Sequence, residues 1–125
     1  MKGKDFRSNE KTIELLDGNH KIAMDFGTFE QLEEIYGDTG TAFAKLTPKN
    51  AEGERSPIKF TDIKKFLTAG INSCIEDPDD HLTPFQVGRL LNISKMPEYS
   101  SAILSLVNDS FPEKESNDDD NDEKN

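Results

Sequence analysis

Two acid-flanked histidines, one cysteine and a few short letter clusters are the places where this chain could do chemistry. Asp77-Pro78-Asp79-Asp80-His81-Leu82-Thr83 lies between two apolar-periodic segments, the setting of a calcium loop. An EF-hand opening at Asp77 has acids at its first and third positions. It also needs glycine at the sixth and a bidentate glutamate at the twelfth, where this chain has Leu82 and Gly88. The segment therefore reads as an acidic interhelical loop. His20 and His81 would have to converge with a nucleophile or further ligands to form a hydrolytic or metal site, and nothing in their spacing brings that about. Both are assigned as solvated. Cys74 falls on the apolar face of a helix, which favours a small buried hydrophobe over a reactive thiol. One cysteine builds neither a disulfide nor a cysteine zinc site. Gly37-Asp38-Thr39-Gly40 shares letters with the aspartic-protease triplet but lacks its strand context and second aspartate. Glu33-Glu34 reads as a solvated helix face. The glycines form no phosphate-cradling loop. No catalytic, cofactor-binding or metal residue is assigned, and the partner-binding residues are left unknown.

The elements that would carry these residues follow from periodicity. Ile13 and Leu15 alternate with polar neighbours, as do Ile22, Met24 and Phe26, and Asp17-Gly18 lies between the two runs. That pattern predicts strands at 11–16 and 20–26 joined by a tight turn, with glycine supplying a positive φ. A lone hairpin is marginal in water, so it must lie on helices. Thr28 with Gln31 predicts a capping box opening a helix whose inner face is Phe29, Leu32, Ile35 and Tyr36, closed by Gly37. Residues 41–46 predict a short helix with Ala42, Phe43 and Leu46 inward. Residues 47–57 hold two prolines, a glycine and mixed charges, and predict an exposed loop.

From Phe60 the template i, i+3, i+4, i+7, i+8 is met by Ile63, Phe66, Leu67, Gly70 and Ile71, with Cys74 one turn further. Lys64, Lys65 and Asn72 are placed on the wet side, and Gly70 predicts a close helix crossing. Thr83-Pro84-Phe85-Gln86 is a second capping box, with proline at the first helical position and Val87, Leu90 and Leu91 inward. A last helix is expected from Pro97 to Ser110, with Tyr99, Ile103, Leu106 and Val107 on one face and Ala102 alongside, ended by Phe111-Pro112. The fold class is α+β, an N-terminal β-hairpin packed on four to five α-helices. Its parts are a flexible N-terminus (1–10), a domain (11–112) and a disordered acidic tail (113–125).

Charge narrows the partners. The 125 residues carry 25 acids and 15 bases, a net charge of -10. Half of that sits in 113–125, where seven acids face two lysines and no apolar residue occurs. Such a tail cannot bury enough surface to offset its ordering entropy. Its first assignment is a solubilising brush, with a recognition element as the alternative. The body is acidic too, which argues against a nucleic-acid partner. No apolar run is long enough to span a membrane, and no apolar stretch follows the basic Met1-Lys2-Gly3-Lys4 start, so neither a membrane nor a secretory route is expected.

Three short motifs in order carry a resemblance. Thr28-Phe29-Glu30-Gln31-Leu32-Glu33-Glu34 fits T-F-x-x-L-x-E, Leu67-Thr68-Ala69-Gly70-Ile71 fits L-x-A-G-L/I, and Leu82-Thr83-Pro84-Phe85-Gln86-Val87-Gly88 fits L-T-x-x-x-V/A-G. With a β segment before and a last helix after, the chain resembles, over 11–112, the tail assembly chaperones of long-tailed bacteriophages and prophages. The related tail protein of gene transfer agents belongs with them. The longer polar loop 47–57 departs from that pattern. The resemblance implies a non-catalytic assembly factor without cofactor. It would keep the tape measure protein soluble in the host cytoplasm, bring tail tube protein to it, and be absent from the mature virion; a homo-oligomer on that client is compatible with the role. The runner-up is a small head–tail connector or other structural adaptor that stays in the virion.

The resemblance also implies a longer minor product made by a ribosomal slip of one nucleotide. Glu123-Lys124-Asn125 can be encoded GAA AAA AAC, which contains a slippery run, and Pro48-Lys49-Asn50 can encode the same run.

Overall fold

The computed structural model describes residues 10–110. The acidic tail and all but the last residue of the N-terminal segment lie outside the described residues. The fold is the expected α+β arrangement, an antiparallel hairpin followed by five helices. Strand β1 is Glu10–Leu15 and β2 is Gly18–Ala23. Helices α1 to α5 are Phe26–Tyr36, Thr39–Ala44, Phe60–Asn72, Pro84–Leu90 and Met96–Ser110. Single 3₁₀ turns at Pro78–Asp80 and Ile93–Lys95 precede α4 and α5.

The hairpin register pairs Leu15 with Gly18 and Glu10 with Ala23. Leu16 and Asp17 make the turn, and the positive φ falls on Gly18 at 128°. The second strand therefore begins two residues earlier than alternation suggested, and it also ends earlier. Ile22 and Met24 are buried as expected, but Phe26 is exposed. The reason is local capping. Asp25 is the N-cap of α1: its carboxylate accepts from the Thr28 amide at 3.0 Å, and its own amide donates to the Thr28 hydroxyl at 3.1 Å. Thr28 is thus the third helical residue rather than the cap, and Gln31 instead reaches the Ser73 hydroxyl at 3.4 Å. Gly37, at φ 98°, ends α1 as expected.

Helix α3 is the axis of the core, packing against β2, α1, α4 and α5. Ile63, Phe66, Leu67 and Ile71 are buried along it. Gly70 permits a close approach, but to the hairpin rather than to another helix. A Cβ there would stand 3.2 Å from Ile22 Cβ and 3.3 Å from the Ala23 carbonyl oxygen. Asn72, expected on the wet side, is buried. Its amide nitrogen donates to the Leu82 carbonyl at 2.9 Å and its oxygen accepts from the Leu82 amide at 2.8 Å. That two-way bond does the work of a strand pair and fixes the loop before α4. A buried polar group is tolerable only when satisfied in this way. Tyr99 on α5 plays the same part for β1: its hydroxyl donates to the Glu14 carbonyl at 2.7 Å and accepts from the Asn92 amide at 3.2 Å. Loop 47–57 is largely exposed, tied by an isolated bridge between Lys49 and Arg55, and returns to the core at buried Ile58.

Candidate interaction surface

Most of the residues singled out for chemistry are held by a local structural bond. Asp77 caps the first 3₁₀ turn, accepting from the Asp79 amide at 2.9 Å. His81 Nε2 donates to the Ile75 carbonyl at 2.9 Å, so this ring is half-buried and bonded rather than solvated. His20 Nε2 donates to the Asp17 carboxylate at 2.8 Å across the hairpin end. Asp38 is the N-cap of α2, accepting from the Thr41 amide at 2.6 Å. That bond holds its carboxyl below the usual carboxylate range. Glu33, exposed on α1, accepts from the Thr39 hydroxyl at 2.9 Å. Cys74 is half-buried just past α3, and burial pushes its thiol up, away from the nucleophilic thiolate. Among the described residues, no group of three or more histidine, cysteine, aspartate or glutamate side chains is placed to hold a metal ion.

Among the described residues one ionisable pair joins a buried carboxylate to a half-buried phenol. Asp62 on α3 accepts from the Tyr36 hydroxyl at 2.7 Å, with the Lys65 ammonium 5.2 Å from the centre of the Tyr36 ring. Burial, then the bonded carboxylate, push the Tyr36 phenol far above its ordinary range. The pair ties α1 to α3 and opens to no cavity lined by the residues of either groove described below.

The unexplained feature is apolar. Among the described residues, large apolar side chains left more than half exposed are Leu16 (62%), Phe26 (77%), Phe60 (58%), Phe85 (70%) and Ile93 (73%). Three of the five come together. Phe60 opens α3, Phe85 is the second residue of α4, and Ile93 opens the 3₁₀ turn before α5. Phe60 and Ile93, with Met96, form the common border of two open grooves of about 960 and about 500 Å³, and Phe85 lines the smaller. The larger continues along α5 past Pro97, Ser101, Leu104 and Asn108, walled on its other side by Arg55 to Ile58.

Local chemistry explains why these side chains stay out. The capping box at Thr83 and Gln86 and proline at the first position start α4 where expected. Val87 then takes the core position, and Phe85, two residues before it, is turned away. Phe60 shares the stripe of Ile63 but sits at the helix end, beyond the packing of its neighbours. The sequence marks no residue of this surface as a contact; its one signal is an aromatic off the apolar stripe, at Phe85.

No helix among the described residues is long and apolar enough to cross a membrane. No family model, no curated protein and no solved structure matches this chain.

Proposed function

We propose that the chain is a non-catalytic tail assembly chaperone of a long-tailed bacteriophage or prophage. It keeps the tape measure protein soluble in the host cytoplasm and helps bring tail tube protein to it. The reading comes from the ordered motifs in 28–34, 67–71 and 82–88. The observation that carries it furthest is the joined apolar surface at Phe60, Phe85 and Ile93 on an otherwise acidic chain. A tape measure protein is a long helical chain whose apolar stripes would aggregate if bare. A small protein that covers such a stripe with an apolar groove, and turns a charged exterior to water, keeps the assembly dispersed. Repeated weak contacts along one client gain from effective concentration.

Co-expression with the tape measure protein encoded beside its gene is the test. The chaperone reading expects that client to move from the insoluble to the soluble fraction with this chain bound, and purified virions to contain none of it. Insolubility of the client despite co-expression removes the reading. Recovery of the chain from virions in stoichiometric amount replaces it with a structural adaptor.

A further inference from the structure

The charges around the apolar surface have the opposite sign to the chain as a whole. The net charge is -10. Yet the charged residues lining the two grooves are Arg55, Lys64, Arg89 and Asp109, three cations to one anion. The ion pairs formed among the described residues use His20, Lys21 and Lys95 as cations, and none uses Arg55, Lys64 or Arg89. Arg89 lies 5.7 Å from the centre of the exposed Phe85 ring, so charge and apolar surface are side by side. The Lys64 stem runs across Gly88, where a Cβ would stand 3.0 Å from its Cδ. The absence of a side chain at Gly88 is what lets that lysine lie along the groove.

We infer that this surface docks one amphipathic α-helix of another protein, with an apolar stripe and acidic flanks. The apolar floor at Phe60, Ile93, Met96 and Leu104 takes the stripe, and the cations at Arg55, Lys64 and Arg89 pair with acids beside it. The groove side of α5 from Pro97 to Asn108 is about 17 Å long at 1.5 Å per residue, the length of about three turns of a docked helix. Ser100, Ser101 and Ser105 on that side are small, which lets a second helix approach closely. The residues 113–125 of this chain bring acids but no apolar residue, so they match the rim and not the floor. As the identity of the client, the inference rests on the chaperone reading. As a surface with a stated ligand chemistry, it stands on the geometry.

The test uses the full-length, nitrogen-15-labelled chain and two synthetic helical peptides of about 18 residues. Both carry leucine at i, i+3, i+4 and i+7; one has glutamate flanks and the other lysine flanks. Near physiological salt, long-range fields are screened beyond about 8 Å and local contacts decide. Net charge alone would favour the lysine peptide. The inference expects the glutamate peptide to bind at least about tenfold more tightly, with amide shifts centred on Phe60, Phe85, Ile93 and Ser101. Arg89→Glu should narrow or reverse that preference. Phe85→Ser with Ile93→Ser should weaken binding at least about tenfold while the melting temperature holds.

Equal binding of the two peptides, or shifts centred on Leu16 and Phe26, overturns the inference. So does a dimer that dissociates in the double variant, since the occupant is then a second copy. Binding seen only after residues 113–125 are removed overturns it as well, because the chain's own acids then fill the surface. The two ideas fail separately. A double variant that still solubilises a tape measure protein keeps the chaperone reading and removes this surface as the site of that client. Peptide binding here by a chain that solubilises no tape measure protein does the reverse.

Discussion

The seam between the hairpin and α3, and the groove between α3, α4 and α5, are both lined by apolar side chains, and they are finished in opposite ways. At the seam the polar groups are bonded: the Thr28 hydroxyl meets the Ala23 carbonyl and Ser73, and Gly70 lets β2 come within van der Waals distance, while beside it the Tyr36 hydroxyl meets Asp62 and ties α1 to α3. In the groove, Phe85 and Ile93 project into solvent, and the cations beside them form no ion pair among the described residues. Burial and closure mark a region that holds the molecule together. Apolar surface beside uncommitted charge marks a region arranged for something else.

The comparison breaks first at Phe66. It is fully buried, with its ring 5.9 Å from that of Tyr36. Phe66→Ala should cost about 3–5 kcal/mol in urea unfolding, because the cavity adds to the lost transfer energy. A loss under about 1 kcal/mol would place Phe66 outside the seam.

Tyr36→Phe comes next. It leaves the buried Asp62 carboxylate without its bond, at about 1.5–3 kcal/mol for a hydrogen bond to a charged group. It also tests the sign of a pH effect. The unfolded phenol titrates near 10, while the folded one is held well above that by burial and Asp62. A raised acid favours the folded state below its unfolded value, and that contribution is lost as pH rises past about 10. Stability of the parent should fall over that range, and Tyr36→Phe should flatten the slope. An unchanged slope would mean that the phenol ionises freely in the folded protein.

Gly70→Ala is smaller, at about 1–3 kcal/mol, because a Cβ there makes β2 give by a few tenths of an ångström against its own ladder. A melting temperature at or above that of the parent would show the seam to be looser than its distances imply. Smallest of all, Phe85→Ser and Ile93→Ser should together change stability by less than about 0.5 kcal/mol, as expected of exposed positions.

The elements of the seam were largely legible in the sequence, and its fastenings were not. The stripe Ile63, Phe66, Leu67, Ile71 and the cap at Thr83 are local patterns, and local patterns survive folding. The start of α1 differs from the expected one because Thr28-Gln31 matches a capping box by letter, while packing makes Asp25 the cap and so lets Thr28 reach Ala23 and Ser73. Asn72 reads as water-facing because its type is polar, yet it is buried. Its bond to Leu82 spans ten residues, and no periodicity encodes that. The groove stayed hidden for a related reason. Phe60, Phe85 and Ile93 lie on three separate elements and meet only through the crossings of α3, α4 and α5. The cations on its rim were lost in a net charge of -10, which describes the chain and not the patch.

One apolar region fastens the molecule, and the other is proposed to receive a partner helix. Melting temperature and affinity for the glutamate-flanked helix, measured on the same sample of the Phe85→Ser/Ile93→Ser variant, separate the two roles. The expected outcome is a melting temperature within about 2 °C of the parent and an affinity at least about tenfold lower. A fall of about 5 °C or more, with affinity unchanged, would make the groove part of the fold and contradict it.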